Sequence, residues 1–85
     1  MQTGPRDPVR AKVASVWAGL LPAPPANEET NFFVAGGNSF LAAVLLESLN
    51  GYFGVRVTLR DFLADPSVGG VAVAIKKAAP TAEIS

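Results

Sequence analysis

Apolar residues in the first quarter of the chain recur with the period of a helix. One face of a helix with 3.6 residues per turn would carry Val9, Val13, Val16, Trp17 and Leu20. Asp7 and Pro8 precede this pattern and suit a helix start, since Asp is a good N-cap and Pro lacks an N–H that the first helical position does not use. The pattern stops at PAPPAN, because proline removes hydrogen-bond donors and turns the preceding residue away from helical geometry. The sequence therefore predicts a first helix from Asp7-Pro8 to just before this segment.

A second apolar helix is predicted to begin at Asn38 or Ser39 and to end near Gly54, because glycine is a common helix stop. Its inward side is predicted to carry Leu41, Ala42, Leu45, Leu46, Leu49, Tyr52 and Phe53, and its opposite side Ser39, Phe40, Ala43, Val44, Glu47, Ser48 and Asn50. We expect Trp17 of the first helix to be buried with Leu45, Leu46 and Leu49.

A long loop, from about Leu21 to Gly37, joins these two helices. We expect Phe32 and Phe33 to hold it against the core. A loop of this length in so small a domain is usually functional.

Two further helices are predicted in the last third of the chain. Thr58 and Asp61 have the spacing of a capping box for a short helix, LRDFLA, which Asp65-Pro66 ends. Ser67 is predicted to cap a last helix whose inward face carries Val68, Val71, Ala72 and Ile75, with Lys76 and Lys77 in its final turn. VRVTL alternates briefly, but no second strand is visible to pair with it. The expected fold is all-α, a small bundle of three main helices plus one short helix. It should occupy residues 7–77, between flexible segments at 1–6 and 78–85.

Composition fits one small packed domain and excludes several classes of function. Hydrophobic residues make up 49% of the 85 residues and charged residues 16%, which is typical of a globular fold and not of a disordered segment. Seven basic and seven acidic residues give no net charge, so no basic excess favours nucleic acid or an anionic membrane. The chain has no Cys and no His, which removes a thiolate nucleophile and disfavours a zinc site or any other metal centre. A DNA-binding bundle is also disfavoured, since Glu47 is the single charged residue of the predicted second helix.

No segment of the sequence is suited to export or to membrane insertion. The first ten residues, MQTGPRDPVR, contain no apolar run and do not form a signal peptide. The longest apolar stretch, from Phe40 to Leu46, is far shorter than the ~20 residues that cross a bilayer. We expect a soluble, cytoplasmic protein that is monomeric.

The segment GGNS, residues 36–39, places a serine at the start of the second helix. Catalysis by this serine is disfavoured, because Leu41 stands where a nucleophile elbow needs glycine and no histidine is present as a base. The glycines are not followed by the Lys of a P-loop either. GGNS could be an ordinary turn and N-cap. Alternatively, a separate enzyme modifies Ser39, since a helix N-terminus favours an attached phosphate and Gly36 and Gly37 leave room for an approaching enzyme.

The stretch NFFVAGGNSFLAAVLLESLNGYFGVRVTLRDFLADPSVGGVAVAI resembles the carrier domains of nonribosomal peptide and polyketide synthesis. These domains read roughly (D/N)-x-F-F-x-x-G-G-x-S, then a leucine-rich helix, F-G, V-x-L-x-x-(L/F)-F and P-T-(V/I). The resemblance implies that residues 7–77 form a carrier domain and that Ser39, flanked by Gly37 and Asn38, receives 4′-phosphopantetheine from coenzyme A. A separate phosphopantetheinyl transferase would catalyse this magnesium-dependent step, and the thiol of the arm would hold the cargo as a thioester. The chain itself would be non-catalytic.

Two positions depart from the family pattern. Asn38 replaces the usual Asp or His before the serine, and Phe40 replaces the usual Leu or Ile after it. GGNS resembles peptidyl carriers more than polyketide acyl carriers, which often read G-x-D-S-L. We therefore interpret the chain as a peptidyl carrier protein of nonribosomal peptide or hybrid biosynthesis. The alternatives are a polyketide acyl carrier and, in a different class, an unmodified helical interaction module whose serine is only a cap.

The resemblance also places partner contacts at the start of the second helix. Phe40 and Val44 are large apolar residues on its otherwise polar side, and we predict that they bind partners together with Ala43 and Glu47. The partners implied are the transferase, an adenylation enzyme or domain, and downstream condensation or tailoring enzymes. Met1 and the short tail suit a free-standing carrier, although an excised synthetase domain would look similar.

Overall fold

Four helices follow one another along the chain in this computed structural model, which describes residues 7–78. They are α1 (Pro8–Leu20), α2 (Ser39–Phe53), α3 (Leu59–Ala64) and α4 (Val68–Ala78). The predicted all-α class, with three main helices and one short one, is confirmed, and no strand forms within residues 7–78. Segment 1–6 and residues 79–85 of the predicted tail lie outside the described residues, whereas Ala78 is the last residue of α4. The predicted flexibility of both ends therefore stays a prediction.

Each of the predicted helix starts has the capping hydrogen bond that its sequence indicates. The Asp7 carboxylate accepts from the Val9 N–H at 2.9 Å, and α1 begins with proline as expected. Ser67 Oγ accepts from the Gly70 N–H at 3.1 Å at the start of α4. These bonds satisfy donors that a helix leaves free in its first turn, so the local sequence fixes where the helices begin.

The short helix α3 has a full capping box. Thr58 Oγ1 accepts from the Asp61 N–H at 3.1 Å, and the Asp61 carboxylate accepts from the Thr58 N–H at 3.1 Å. These two bonds to Thr58 lower the pKa of Asp61, the backbone bond contributing most. A helix of six residues is too short to be stable alone, so both the box and the packing of Phe62 into the core support it.

The core lies where α1, α2 and α4 meet, with one face covered by the long loop. Its largest fully buried side chains are Trp17, Phe32, Phe62, Leu45, Leu49, Ile75, Val13, Val68 and Val71. Trp17 is buried in the same cluster as Leu45, Leu46 and Leu49, as the sequence predicts. The apolar positions read from helical periodicity in α1 and α4 also face this core.

An aromatic cluster fastens the long loop to the core. The Phe32 ring centroid lies 4.9 Å from that of Trp17, 5.3 Å from that of Phe62 and 5.7 Å from that of Phe33, each pair in edge-to-face geometry. Such pairs add about 0.5–1.5 kcal/mol each beyond the area they bury. Phe32 is fully buried, while Phe33 is half-buried. The prediction that these two residues hold the loop against the core is confirmed.

Three positions of α2 differ from the face that helical winding predicts. Tyr52 is 63% exposed instead of inward-facing, because its ring lies at the edge of the core with the Lys12 ammonium 4.1 Å from its centroid. Asn50, expected on the outward side, is half-buried because its side chain hydrogen-bonds to the backbone of Val57. Val44, also expected outward, is half-buried.

Ionic contacts join the start of α1 to the end of α4. The Asp7 carboxylate accepts hydrogen bonds from Lys76 Nζ and, at 3.1 Å, from Arg10 Nη1. The Lys76 bond is the main cause of the lowered pKa of Asp7, with smaller contributions from the Val9 N–H and the Arg10 charge. The carboxylate therefore serves both as the α1 cap and as a link between distant parts of the chain. None of the helices described between residues 7 and 78 has the length and apolar character that a membrane crossing needs.

Candidate functional site

Ser39 is the first residue of α2 and is exposed. Within residues 7–78 its hydroxyl forms no hydrogen bond with another side chain or with the backbone. Asn38, directly before it, is the N-cap, in extended geometry with φ −148° and ψ −179°, and its Oδ1 accepts from the Leu41 N–H at 2.8 Å. The helix start predicted at Asn38 or Ser39 is confirmed. Because Asn38 does the capping, the Ser39 hydroxyl remains free.

The first turn of α2 offers a favourable environment for an anion. The Leu41 N–H is capped by Asn38, and the Ala42 N–H donates to the Asn38 carbonyl at 2.8 Å. The N–H groups of Ser39 and Phe40 have no acceptor among the described residues. No acidic residue lies in this turn to repel a phosphate. These two N–H groups and the positive end of the helix dipole fit a phosphodiester on the Ser39 oxygen.

A hydrogen-bonded turn leads into the site. The Asn31 side chain accepts from the N–H groups of Phe33, at 2.8 Å, and Val34, at 3.1 Å. The Gly37 N–H donates to the Phe32 carbonyl at 2.9 Å and closes the turn. Asn31 is a residue whose role sequence reasoning missed, although an Asn followed by a turn is the signal of such side-chain capping.

The two glycines of GGNS have different roles. Gly36 has a φ of +113°, a conformation that side-chain-bearing residues rarely adopt. Gly37 has no such φ, but a Cβ placed on it would lie 2.3 Å from Cε2 of Phe32. The sequence indicates only that both glycines leave room for an approaching enzyme. The structure adds that Gly37 faces the buried ring of Phe32 and is half-buried itself.

The outward side of α2 presents one large apolar residue beside Ser39. Phe40 is 74% exposed, so it does not fold back over the loop. Ala43 and Glu47 are exposed one and two turns further along, while Val44 contributes only part of its surface. We call Phe40, Ala43 and Glu47 the outward α2 surface. It is continuous with Ser39 and has Glu47 as its single charge.

Chemical groups that could activate Ser39 are not found near it in the described part of the chain. The lysines described lie on α1 and α4, and His and Cys are absent from the sequence. The two carboxyl groups with shifted pKa values, Asp7 and Asp61, cap other helices. Residues 7–78 contain no group of three or more acidic residues that could hold a metal ion. Two surface grooves, of about 520 and 550 Å³, are lined by residues other than Ser39 and the outward α2 surface.

Comparison with protein families identifies the class to which this site belongs. Residues 11–75 match the model of the family described as the phosphopantetheine attachment site. The chain belongs to this family and is a phosphopantetheine-binding carrier domain, similar to peptidyl carrier proteins and non-catalytic. The cofactor expected from the sequence is thus confirmed at the level of the family.

Curated relatives are large synthetases. The chain is 35% identical over 66 residues to phosphinothricin tripeptide synthetase PhsC of Streptomyces viridochromogenes, which covers 78% of this chain and 6% of that protein. It is 35% identical over 75 residues to one of the proteins that make up the plipastatin synthase of Bacillus subtilis, covering 88% of this chain and 2% of that protein. It is 38% identical over 60 residues to pyochelin synthetase PchE of Pseudomonas aeruginosa, covering 71% and 4%. The chain therefore spans a small part of the relatives it matches.

Solved structures share the fold. The peptidyl carrier protein in complex with the phosphopantetheine transferase Sfp and coenzyme A superposes with a TM-score of 0.80 at 22% identity, covering 89% of this chain and 99% of that one. A prototype peptidyl carrier domain of modular peptide synthetases gives a TM-score of 0.77 at 24% identity, covering 88% and 99%. A docking domain complex of the Pax synthetase gives 0.78 at 26% identity, covering 92% and 75%.

Proposed function

We propose that this chain is a peptidyl carrier, in which a 4′-phosphopantetheine arm on Ser39 holds an aminoacyl or peptidyl group for nonribosomal peptide or hybrid biosynthesis. The observation that supports it most is the exposed, unbonded hydroxyl of Ser39 on the first residue of α2. The relatives named above as peptide synthetases support an amino acid cargo over a polyketide one.

The role of Ser39 is to supply one oxygen. Its Oγ forms a bond to the phosphorus of the phosphopantetheine half of coenzyme A, the phosphoanhydride P–O bond breaks, and 3′-phosphoadenosine 5′-phosphate leaves. The hydroxyl proton passes to a base of the transferase, since this chain offers no histidine. When attached, the arm supplies the thiol that forms the thioester, which the chain cannot supply because it has no cysteine.

Asn38 and the free N–H groups of α2 assist this role. Asn38 holds the helix start without adding charge, and the N–H groups of Ser39 and Phe40 stabilise the phosphodiester by their dipoles. Gly37 flanks the site and brings the loop close to the core.

The outward α2 surface is proposed to bind the transferase, an adenylation enzyme or domain, and condensation or tailoring enzymes. Phe40 is its anchor, because it is the large apolar residue exposed beside Ser39. Ala43 permits close approach, Val44 adds a smaller apolar area, and Glu47 marks the polar rim.

Intact mass measurement tests the function directly. The protein is incubated with coenzyme A, Mg²⁺ and a permissive transferase, beside a known carrier as a positive control. We expect the mass to rise by one phosphopantetheine. Ser39→Ala should abolish the increase, whereas Ser48→Ala, which alters an exposed serine of the same helix, should leave it unchanged. No increase for the wild type, while the known carrier is modified, would favour the unmodified interaction module instead.

A further inference from the structure

Phe32 and Gly37 are in closer contact than any other side chain at position 37 would allow. A Cβ on Gly37 would lie 2.3 Å from Cε2 and 2.4 Å from Cδ2 of Phe32, distances that real Cβ atoms do not adopt. The ring is fully buried and lies edge-to-face with Trp17 and Phe62. It therefore has little freedom to move aside, and the absence of a side chain at Gly37 is what permits the contact.

The backbone of Phe32 strengthens the same connection. Its carbonyl accepts from the Gly37 N–H at 2.9 Å, and its own N–H donates to the Pro66 carbonyl at 2.8 Å. Ring and carbonyl thus hold Gly37 from two sides, while Pro66 ties Phe32 to the segment between α3 and α4. Only Asn38 separates Gly37 from Ser39.

We propose that Phe32 and Gly37 are positioning residues for the modification of Ser39. By packing on Gly37, the buried ring fixes where the chain enters α2 and therefore where the Ser39 hydroxyl lies relative to the outward α2 surface. This inference rests on the proposed function of Ser39.

The proposal separates two properties of the transferase reaction. Docking depends on Phe40, Ala43 and Glu47, which a change at position 37 leaves in place on the exposed side of α2. The chemical step depends on the distance between the Ser39 oxygen and the phosphorus, and a displacement of about 1 Å can cost up to ~100-fold in rate. A side chain at position 37 should therefore lower kcat and leave KM nearly unchanged.

The test is a kinetic cycle of Gly37→Ala, Phe32→Leu and the double variant, with the carrier as the varied substrate of the transferase. We expect Gly37→Ala to lower kcat about tenfold or more, with KM within about twofold of the wild type. Leu at position 32 removes the ring edge that the new methyl would meet. In the Phe32→Leu background the added Gly37→Ala change should therefore cost less than about twofold in kcat, a coupling that independent sites would not show.

Two matched controls separate positioning from loss of stability. Gly51→Ala places a methyl on α2 where no atom lies within 4 Å, and it should keep the wild-type kcat. Val71→Ala removes volume from the core on α4 and lowers the unfolding temperature, yet it should also keep the wild-type kcat while folded. Circular dichroism reports the folded fraction of each variant.

Distinct results would overturn the proposal. A folded Gly37→Ala that is modified at the wild-type kcat, or that loses the same factor in both backgrounds, contradicts it. Should Gly37→Ala not fold, Phe32→Leu is compared with the wild type. A lower kcat at unchanged KM, with shifted amide resonances of Ser39 and Phe40, supports positioning, and wild-type values of both overturn it. A wild type that is not modified at all would instead contradict the proposed function.

Discussion

Asn50 pairs both polar atoms of its side chain with the backbone of Val57. Its Nδ2 donates to the Val57 carbonyl at 3.0 Å, and its Oδ1 accepts from the Val57 N–H at 2.9 Å. Val57 is 3% exposed, so its peptide groups have little access to water in the absence of Asn50. One side chain of α2 thereby fixes the segment that leads to α3.

Replacing Asn50 by Ala should destabilise the fold by about 1–3 kcal/mol, because buried backbone groups would lose their partners. Urea unfolding followed by circular dichroism measures this change. Ser48→Ala, on the exposed side of the same helix, should stay within about 0.5 kcal/mol of the wild type. Equal stability of Asn50→Ala and the wild type would show that the pairing contributes nothing.

Replacing Leu49 by Ala should cost about 2–5 kcal/mol, since the side chain is fully buried and its removal leaves a cavity. That is a large share of the ~5–15 kcal/mol that holds a typical domain folded. Leu63→Ala is the matched control, because this leucine is 53% exposed and should lose less than about 1 kcal/mol. Similar losses at the two positions would mean that the assignment of the core is wrong.

The sequence predicts most of this fold because its signals are local. Caps at Asp7, Asn38, Thr58 and Ser67 act within three residues, and so they can be read without knowing the tertiary structure. Helical winding also identified Leu45 and Leu49 as core. Positions at the margin of a face were less predictable, since their burial depends on neighbours from other elements.

Tyr52 and Gly37 show what local reasoning cannot reach. Tyr52 has the winding angle of an inward residue, but the core ends beside it and Lys12 of α1 covers its ring. At Gly37 the sequence shows only the absence of a side chain, and the reason for it is a ring five residues earlier that the fold brings back. For the candidate site, the sequence located Ser39 and its cap, whereas the contact that holds the turn required the tertiary structure.

Acid should destabilise the protein through Asp7 and Asp61. Both have pKa values below the ordinary ~3.9 of an Asp, because Lys76 donates to Asp7 and the Thr58 backbone donates to Asp61. Their contribution to stability is therefore full above about pH 5 and is lost as the pH falls through 4 and below. Thermal unfolding between pH 7 and pH 3 measures it. The double variant Asp7→Asn, Asp61→Asn should show a smaller fall in unfolding temperature over that range, and an identical fall would contradict the assignment.

Phe40→Ala should lower kcat/KM of the transferase about tenfold or more, since burying a Phe is worth ~1.5–3 kcal/mol and ~1.4 kcal/mol is a factor of ten. The control is Tyr52→Ala, which removes an exposed aromatic from the far end of the same helix and should leave kcat/KM unchanged. Wild-type kinetics for a folded Phe40→Ala would refute the proposed anchor.

Salt should affect this docking little, because Glu47 is the single charge of the outward α2 surface. Measuring kcat/KM of the wild type from low to high ionic strength tests this, with the transferase and a strongly acidic carrier as the comparison. A steep decrease with salt for this chain would show that docking is ionic.

Locating the modification by peptide fragmentation tests the central claim most directly. Trypsin cleaves after Lys12 and after Arg56, and the peptide between them contains Ser15, Thr30, Ser39, Ser48 and Tyr52 as hydroxyl groups. After reaction with coenzyme A and the transferase, fragment ions should place one phosphopantetheine between Asn38 and Phe40, on Ser39. A phosphopantetheine on any other hydroxyl of this peptide, or none while a known carrier is modified in parallel, would contradict the account.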